Sequence, residues 1–150
     1  MKNLLNDLSF VFTVLWVGSL WSMLMVTSIL FDKISSTYIA GAIASDMFQF
    51  LNYFGIFVLS SIIFIGYNNN GVGLLRKSFF WIAFFTLLLV LVRLFGINPF
   101  LETLKLQILS KEVMESMFTN NFRIWHGIAS IAHLLQSILG IALVLKMRKI

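Results

Sequence analysis

Charged residues break the chain into long uncharged stretches. Asp7 and Asp32 enclose the 24 residues from Leu8 to Phe31, and at about 1.5 Å of rise per residue such a stretch crosses a hydrocarbon core of about 30 Å as one helix. The pattern predicts a first span over residues 8–31. The run is too long for a signal peptide and ends on the bulky Ser28-Ile29-Leu30-Phe31-Asp32, so it is read as uncleaved. A second span is predicted over 47–67, with a helix that begins earlier, near Ser36, and closes at the turn-forming Asn68-Asn69-Asn70-Gly71. A third covers 78–97, carries Arg93 and is expected to stop at Asn98-Pro99. A fourth covers 124–145, bracketed by Arg123 and Lys146.

Between the third and fourth spans, Ile97, Phe100, Leu101, Leu104 and Ile108 recur at helical spacing. Asn98 suits an N-cap and Pro99 the first helical position, so the expectation is a short amphipathic helix on the outer face, with a second turn starting at Ser110. A faint repeat runs through the chain. Ile43-Ala44-Ser45 precedes Gly55-Ile56 at the spacing by which Ile128-Ala129-Ser130 precedes Gly140-Ile141. Both copies descend in the same direction, as a parallel repeat of helix pairs would.

Composition moves this picture from long helices to a membrane. Of 150 residues, 59% are apolar and 11% charged, with a mean hydropathy of +0.94, against about 45–50% and about 25% in soluble domains. A 17.1 kDa globule cannot hide that much apolar surface. The fold class expected is therefore an all-α integral membrane protein, one four-transmembrane-helix bundle over residues 1–150. The net charge of +5 is scattered singly or in pairs, which argues against a nucleic-acid partner. It reads instead as topology. Four crossings gather Lys2, Arg76, Lys77, Lys146, Arg148 and Lys149 on one side, and on the other Lys33, Lys105, Lys111 and Arg123 among five acids. The excess of bases puts both termini in the cytoplasm. Tyr67 and Trp81 near one interface, and Tyr38 and Trp125 near the other, suit aromatic belts, whereas Trp16 falls mid-span. The chain has no cysteine, so disulfides and thiolate chemistry are excluded.

The polar residues inside the spans are the candidate site. With His126 at zero on a helical wheel, Ser130, His133, Ser137 and Gly140 fall within roughly 40° of it, a stripe that acyl chains cannot solvate. One reading makes it helix-packing glue. The other makes the histidines ligands or proton carriers, although seven residues of separation, roughly 10 Å along the axis, prevent both from binding one haem iron or one zinc ion. Arg93 either snorkels to the outer interface or joins Asp46, Gln49, Asn52 and His126 in a polar cluster, with an Arg93–Asp46 pair as its sharpest form. Met23, Met25, Met47, Met114 and Met117 map to the outer half, and thioethers with imidazole suit Cu(I), although Met is also a common gap filler. Gly18 and Ser22, and the run Ala40, Gly41, Ala44 and Ser45, read as close-packing faces. No Ser-His-Asp order, phosphate loop, His-Glu-x-x-His helix or carboxylate pair is present, so hydrolase and nucleotide chemistries lack the residues to run them.

Three stretches together carry a family resemblance. They are Leu15-Trp16-Val17-Gly18-Ser19-Leu20-Trp21 with Leu30-Phe31, Ile39-Ala40-Gly41-Ala42-Ile43-Ala44 with Phe48, and Trp125-His126-Gly127-Ile128-Ala129-Ser130 with Leu134-Leu135-Gln136. In order and spacing they resemble the transmembrane protein 205-like family, a domain-of-unknown-function family. The chain departs from that pattern at Ser28, where the family usually has Pro. The resemblance implies a four-helix protein of bacterial inner membranes and of eukaryotic membranes, without an established activity. It is also similar in plan to four-helix copper-resistance and haem-binding membrane proteins. The residues thus favour a non-enzymatic structural or partner-binding membrane component, surrounded by lipid and joined to a second copy or to another membrane protein. The alternative is a small-ligand protein, taking a soft metal or haem or relaying protons at His126, His133 and Arg93.

Overall fold

The computed structural model describes residues 2–35, 37–103 and 115–147, with side chains described for all of these except 2–3, 37–38, 42, 115–123 and 126. Every element is helical. Helix α1 is Lys2–Lys33 and α2 is Thr37–Asn70. A 3-10 turn, Gly71–Arg76, leads into α3, Ser78–Val92. A π turn, Arg93–Ile97, follows, and residues 98–103 continue as helix. Helix α4 is Glu115–Met147. Four stretches, Leu4–Lys33, Ile39–Arg76, Ser78–Thr103 and Gly127–Met147, are long and apolar enough to cross a membrane.

Each helix packs against its neighbours in sequence, and α1 also packs against α4, so the four stand in a ring with α1–α3 and α2–α4 as the diagonals. The start of α1, the α2–α3 connection and the end of α4 share one end of the bundle, called here the near end. Asn69 Nδ2 donates to Asn6 Oδ1 there at 3.0 Å. The interior is lined at three- and four-residue spacing by Thr13, Trp16, Leu20 and Met23 of α1, Leu51, Val58 and Ile62 of α2, Phe79, Ala83, Thr86 and Val90 of α3, and Ala132, Gln136 and Leu143 of α4. The perimeter carries Met25, Phe50, Phe64 and Phe95, each at least 66% exposed. A contiguous apolar surface of that kind is suited to hydrocarbon rather than water, and the four apolar helices point to a multi-pass membrane protein.

The element boundaries differ from the sequence expectation in three places. Helix α2 runs through the asparagine cluster to Asn70, where the Nδ2 donates back to Gly66 O at 3.0 Å, and the chain turns at Gly71, whose φ of +53° suits a residue without a Cβ. Asn98 does not end the third span or cap a separate helix. It is itself helical, and its N–H bonds Arg93 O across the π turn. Proline lacks the N–H for the regular ladder and its ring strikes the carbonyl four residues back, so a widened turn just before Pro99 relieves both problems and lets the helix run on. The buried stripe of Val90, Arg93, Ile97 and Leu101 passes through that turn without a break. Helix α4 is already helical at Glu115, ahead of the predicted span. The remainder of the expected amphipathic helix, including Leu104, Ile108 and the turn at Ser110, lies outside the described residues.

The two glycines of the faint repeat both serve α1. A Cβ built on Gly55 would lie 2.8 Å from the Trp16 ring, and one built on Gly140 would lie 2.7 Å from Val17 Cγ2. Adjacent residues of α1 therefore seat against a glycine on each neighbouring helix. Trp16, out of place in any aromatic belt, is fully buried, and its indole N–H donates to Leu51 O at 3.0 Å.

Candidate functional site

The π turn places Arg93 in the bundle interior, where only 2% of it is exposed. Helix α4 meets it with two residues three apart. Arg93 Nη1 lies 3.1 Å from His133 Nδ1 and donates to Gln136 Oε1 at 3.2 Å. His133 Nε2 lies 3.0 Å from Leu20 O on α1. These contacts assign the imidazole tautomer. Guanidinium has only donors and a backbone carbonyl only accepts, so Nδ1 is the acceptor toward Arg93 and Nε2 carries the hydrogen given to Leu20. Helix α2 contributes Phe48, whose ring centroid is 5.1 Å from Arg93 Cζ and 4.8 Å from the His133 ring, edge to face. One guanidinium thus touches groups from α2 and α4, and the histidine beside it reaches α1.

Several polar atoms at this level have no hydrogen-bond partner. They are Arg93 Nε, Gln136 Nε2 and both side-chain atoms of Asn52, a residue that is completely buried. Asn52 stands one turn beyond Phe48 on α2, and Gln136 and Ser137 one turn beyond His133 on α4. Both helices run toward the near end, so these residues share a level. Ser137 Oγ donates to His133 O at 2.9 Å, within its own helix.

Of the residues singled out from sequence, the structure brings Arg93 and His133 into direct contact and buries Asn52 one turn away. Asp46 and Gln49 do not join them, since both side chains are exposed. At 100° per residue, Asp46 points about 160° away from the inward Phe48, and Gln49 about 100°. The Arg93–Asp46 pair is accordingly replaced by contacts to neutral groups. Among the described residues, the ion pair present is Lys33 with Asp32, at 3.5 Å on the surface. Ser130 is exposed on α4, away from the interior. The His126 side chain lies outside the described ones. Gln136 is the partner that the wheel missed. It sits about 80° from the His126 direction, just beyond a stripe drawn too narrow, although an amide three residues after a histidine in an apolar helix was a signal available to find it.

The cluster's chemistry is that of a clasp. Both imidazole nitrogens of His133 are engaged, so neither offers a lone pair to haem iron or a copper ion unless Arg93 or Leu20 is released. Among the described residues, no three His, Cys, Asp or Glu side chains converge as metal ligands. Of the candidate methionines, Met23 lies in the core and Met25 and Met47 face outward, while Met114 and the Met117 side chain lie outside those described.

No curated relative and no solved structure matches the chain. One family's sequence profile does, over residues 11–110, a stretch that holds Trp16, Phe48, Asn52 and Arg93 and ends before α4 with His133 and Gln136. That match covers two thirds of the sequence, and the chain belongs to this family, the domain of unknown function DUF4149.

Proposed function

We propose that this protein is a structural or partner-binding accessory component of the bacterial inner membrane, related to the transmembrane protein 205-like family. It crosses the bilayer four times as one domain over residues 1–150, with both termini in the cytoplasm, and assembles with a second copy or another membrane protein. The observation that carries the reading is the use of the buried polar groups. Arg93 bonds both His133 and Gln136, and His133 bonds the α1 backbone, which joins helices and leaves the histidine no free nitrogen for chemistry.

Two experiments test it. The six-to-four division of bases supports a cytoplasmic near end. A reporter active only in the cytoplasm is expected to give signal when fused at the C-terminus and none when inserted at Lys111, and the reverse pattern overturns the topology. The outer segment around Lys111 is also where the proposed amphipathic helix would lie on the membrane surface.

A second reading, a small-ligand or proton-relaying role at the Arg93, His126 and His133 face, is favoured by the unpaired atoms of Asn52, Arg93 and Gln136. Absorbance and elemental analysis of the purified protein separate the two. The structural role predicts a colourless protein without stoichiometric metal. A Soret band or a bound copper ion lost on His133→Ala selects the ligand role.

A further inference from the structure

A second feature lies at the near end, well away from the polar clasp. Helix α2, the 3-10 turn and α3 enclose a cavity of about 460 Å³ that opens to the outside of the bundle, within the range of about 300–1,000 Å³ typical of small-ligand sites. Its walls are almost wholly apolar, built from Ile63, Phe64, Tyr67, Leu75, Phe80 and Leu87. Two bases interrupt the lining in sequence. Leu75 and Phe80 both face the cavity, and Arg76 and Lys77 fall between them at the turn from the 3-10 segment into α3. Arg76 is exposed, Lys77 is half-buried, and neither forms an ion pair with a described carboxylate. Trp81 anchors the rim, its indole N–H donating to Leu75 O at 2.9 Å.

We infer that this groove is a binding site for one anionic phospholipid, with an acyl chain in the cavity and the phosphate on Arg76 and Lys77. An aliphatic chain matches walls that present almost no polar surface. Two adjacent cations in the turn between the lining residues Leu75 and Phe80 match a phosphodiester, and Tyr67 and Trp81 are amphipathic rings suited to headgroup level. Charge selects the headgroup. Among the described side chains, the same end of the bundle also carries Lys146 against Asp7, and Lys2, Arg148 and Lys149 adjoin it in sequence, so a net-negative lipid is favoured over a zwitterionic one, whose own cation offsets its phosphate. The inference rests on the four helices crossing a bilayer, and the reporter fusions test that separately from lipid binding.

The full chain, purified in detergent, is titrated with dioleoyl phosphatidylglycerol or dioleoyl phosphatidylcholine and followed by native mass spectrometry. One phosphatidylglycerol is expected per chain, bound about tenfold more tightly than phosphatidylcholine. R76Q/K77Q, which removes both charges and keeps side chains of similar reach, should bring the two lipids level. Ser60→Trp, which fills the groove from an exposed position on α2, should weaken both. Excess glycerol phosphate, which lacks acyl chains, should not displace the lipid. Equal affinities in the parent protein, a preference that survives R76Q/K77Q, full binding by Ser60→Trp, or displacement by glycerol phosphate would each overturn the site.

Discussion

Replacing His133 by leucine is expected to destabilise the protein by about 3 kcal/mol, more than replacing Arg93 by methionine. Leucine removes the acceptor 3.1 Å from Arg93 Nη1 and the donor to Leu20 O together. It leaves a full charge in the bundle interior with Gln136 as its remaining hydrogen-bond acceptor among the described contacts, and an underpartnered buried charge is the costlier defect. Arg93→Met removes the charge as well as the bonds. Only neutral acceptors are then left unpaired, a loss of about 1–2 kcal/mol. The double variant Arg93→Met, His133→Leu should lose about 1–3 kcal/mol less than the sum of the two. Asp46→Asn is the control. Because Asp46 is exposed and faces away from the interior, its effect should add to that of Arg93→Met within about 0.5 kcal/mol. Reversible unfolding in mixed detergent measures the parent and the five variants, the Arg93→Met, Asp46→Asn double included. Additive losses for Arg93 and His133, or strong coupling between Arg93 and Asp46, would dismantle the clasp.

The second large effect lies at the α1–α2 contact. Trp16 is fully buried among Leu20, Leu51 and Leu59, and Trp16→Ala should cost about 3–5 kcal/mol in lost burial and cavity. Gly55→Ala tests the same contact from the other side. The new methyl carbon would sit 2.8 Å from an indole that its bond to Leu51 O holds in place, so overpacking should cost about 1–3 kcal/mol. The sign should then change. In the Trp16→Ala background the obstruction is gone, and Gly55→Ala becomes stabilising by up to about 1 kcal/mol through helix propensity. Gly18→Ala, with nothing within 4 Å of the added carbon, should be mildly stabilising in the parent protein for the same reason. The same unfolding assay reads these variants, and a Gly55→Ala effect independent of residue 16 would contradict the packing.

The four long helices were legible along the chain because a bilayer-sized uncharged run has few other uses, and charges at Asp7, Asp32, Arg76, Lys77 and Lys146 mark where such runs end. For Arg93 the sequence left two places, the outer interface or a polar cluster in the bundle, since lipid gives a guanidinium no partner, and the fold takes the second. Which partner it takes was not. A helix that is apolar on every side shows little hydropathy contrast between its inner and outer faces, so sequence alone left open whether α2 turns Asp46 or Phe48 inward. Helix packing settles it: Ala40, Ala44 and Gly55 let neighbouring helices approach, while the bulky Phe50, Phe57 and Phe64 stay outside. That rotation carries Asp46 outward with them and brings Phe48 and Asn52 to the centre. On α4 the same close approach turns His133, Gln136 and Gly140 inward and leaves Ser130 exposed. The π turn ahead of Pro99 was equally out of reach, because a proline after an asparagine reads locally as a helix end. It continues as helix here because a single widened turn accommodates the ring and keeps Ile97 and Leu101 on the buried stripe. Span lengths follow from one residue's affinity for water or lipid at a time, whereas helix rotation follows from the fit between two surfaces, and only the folded bundle brings those surfaces together.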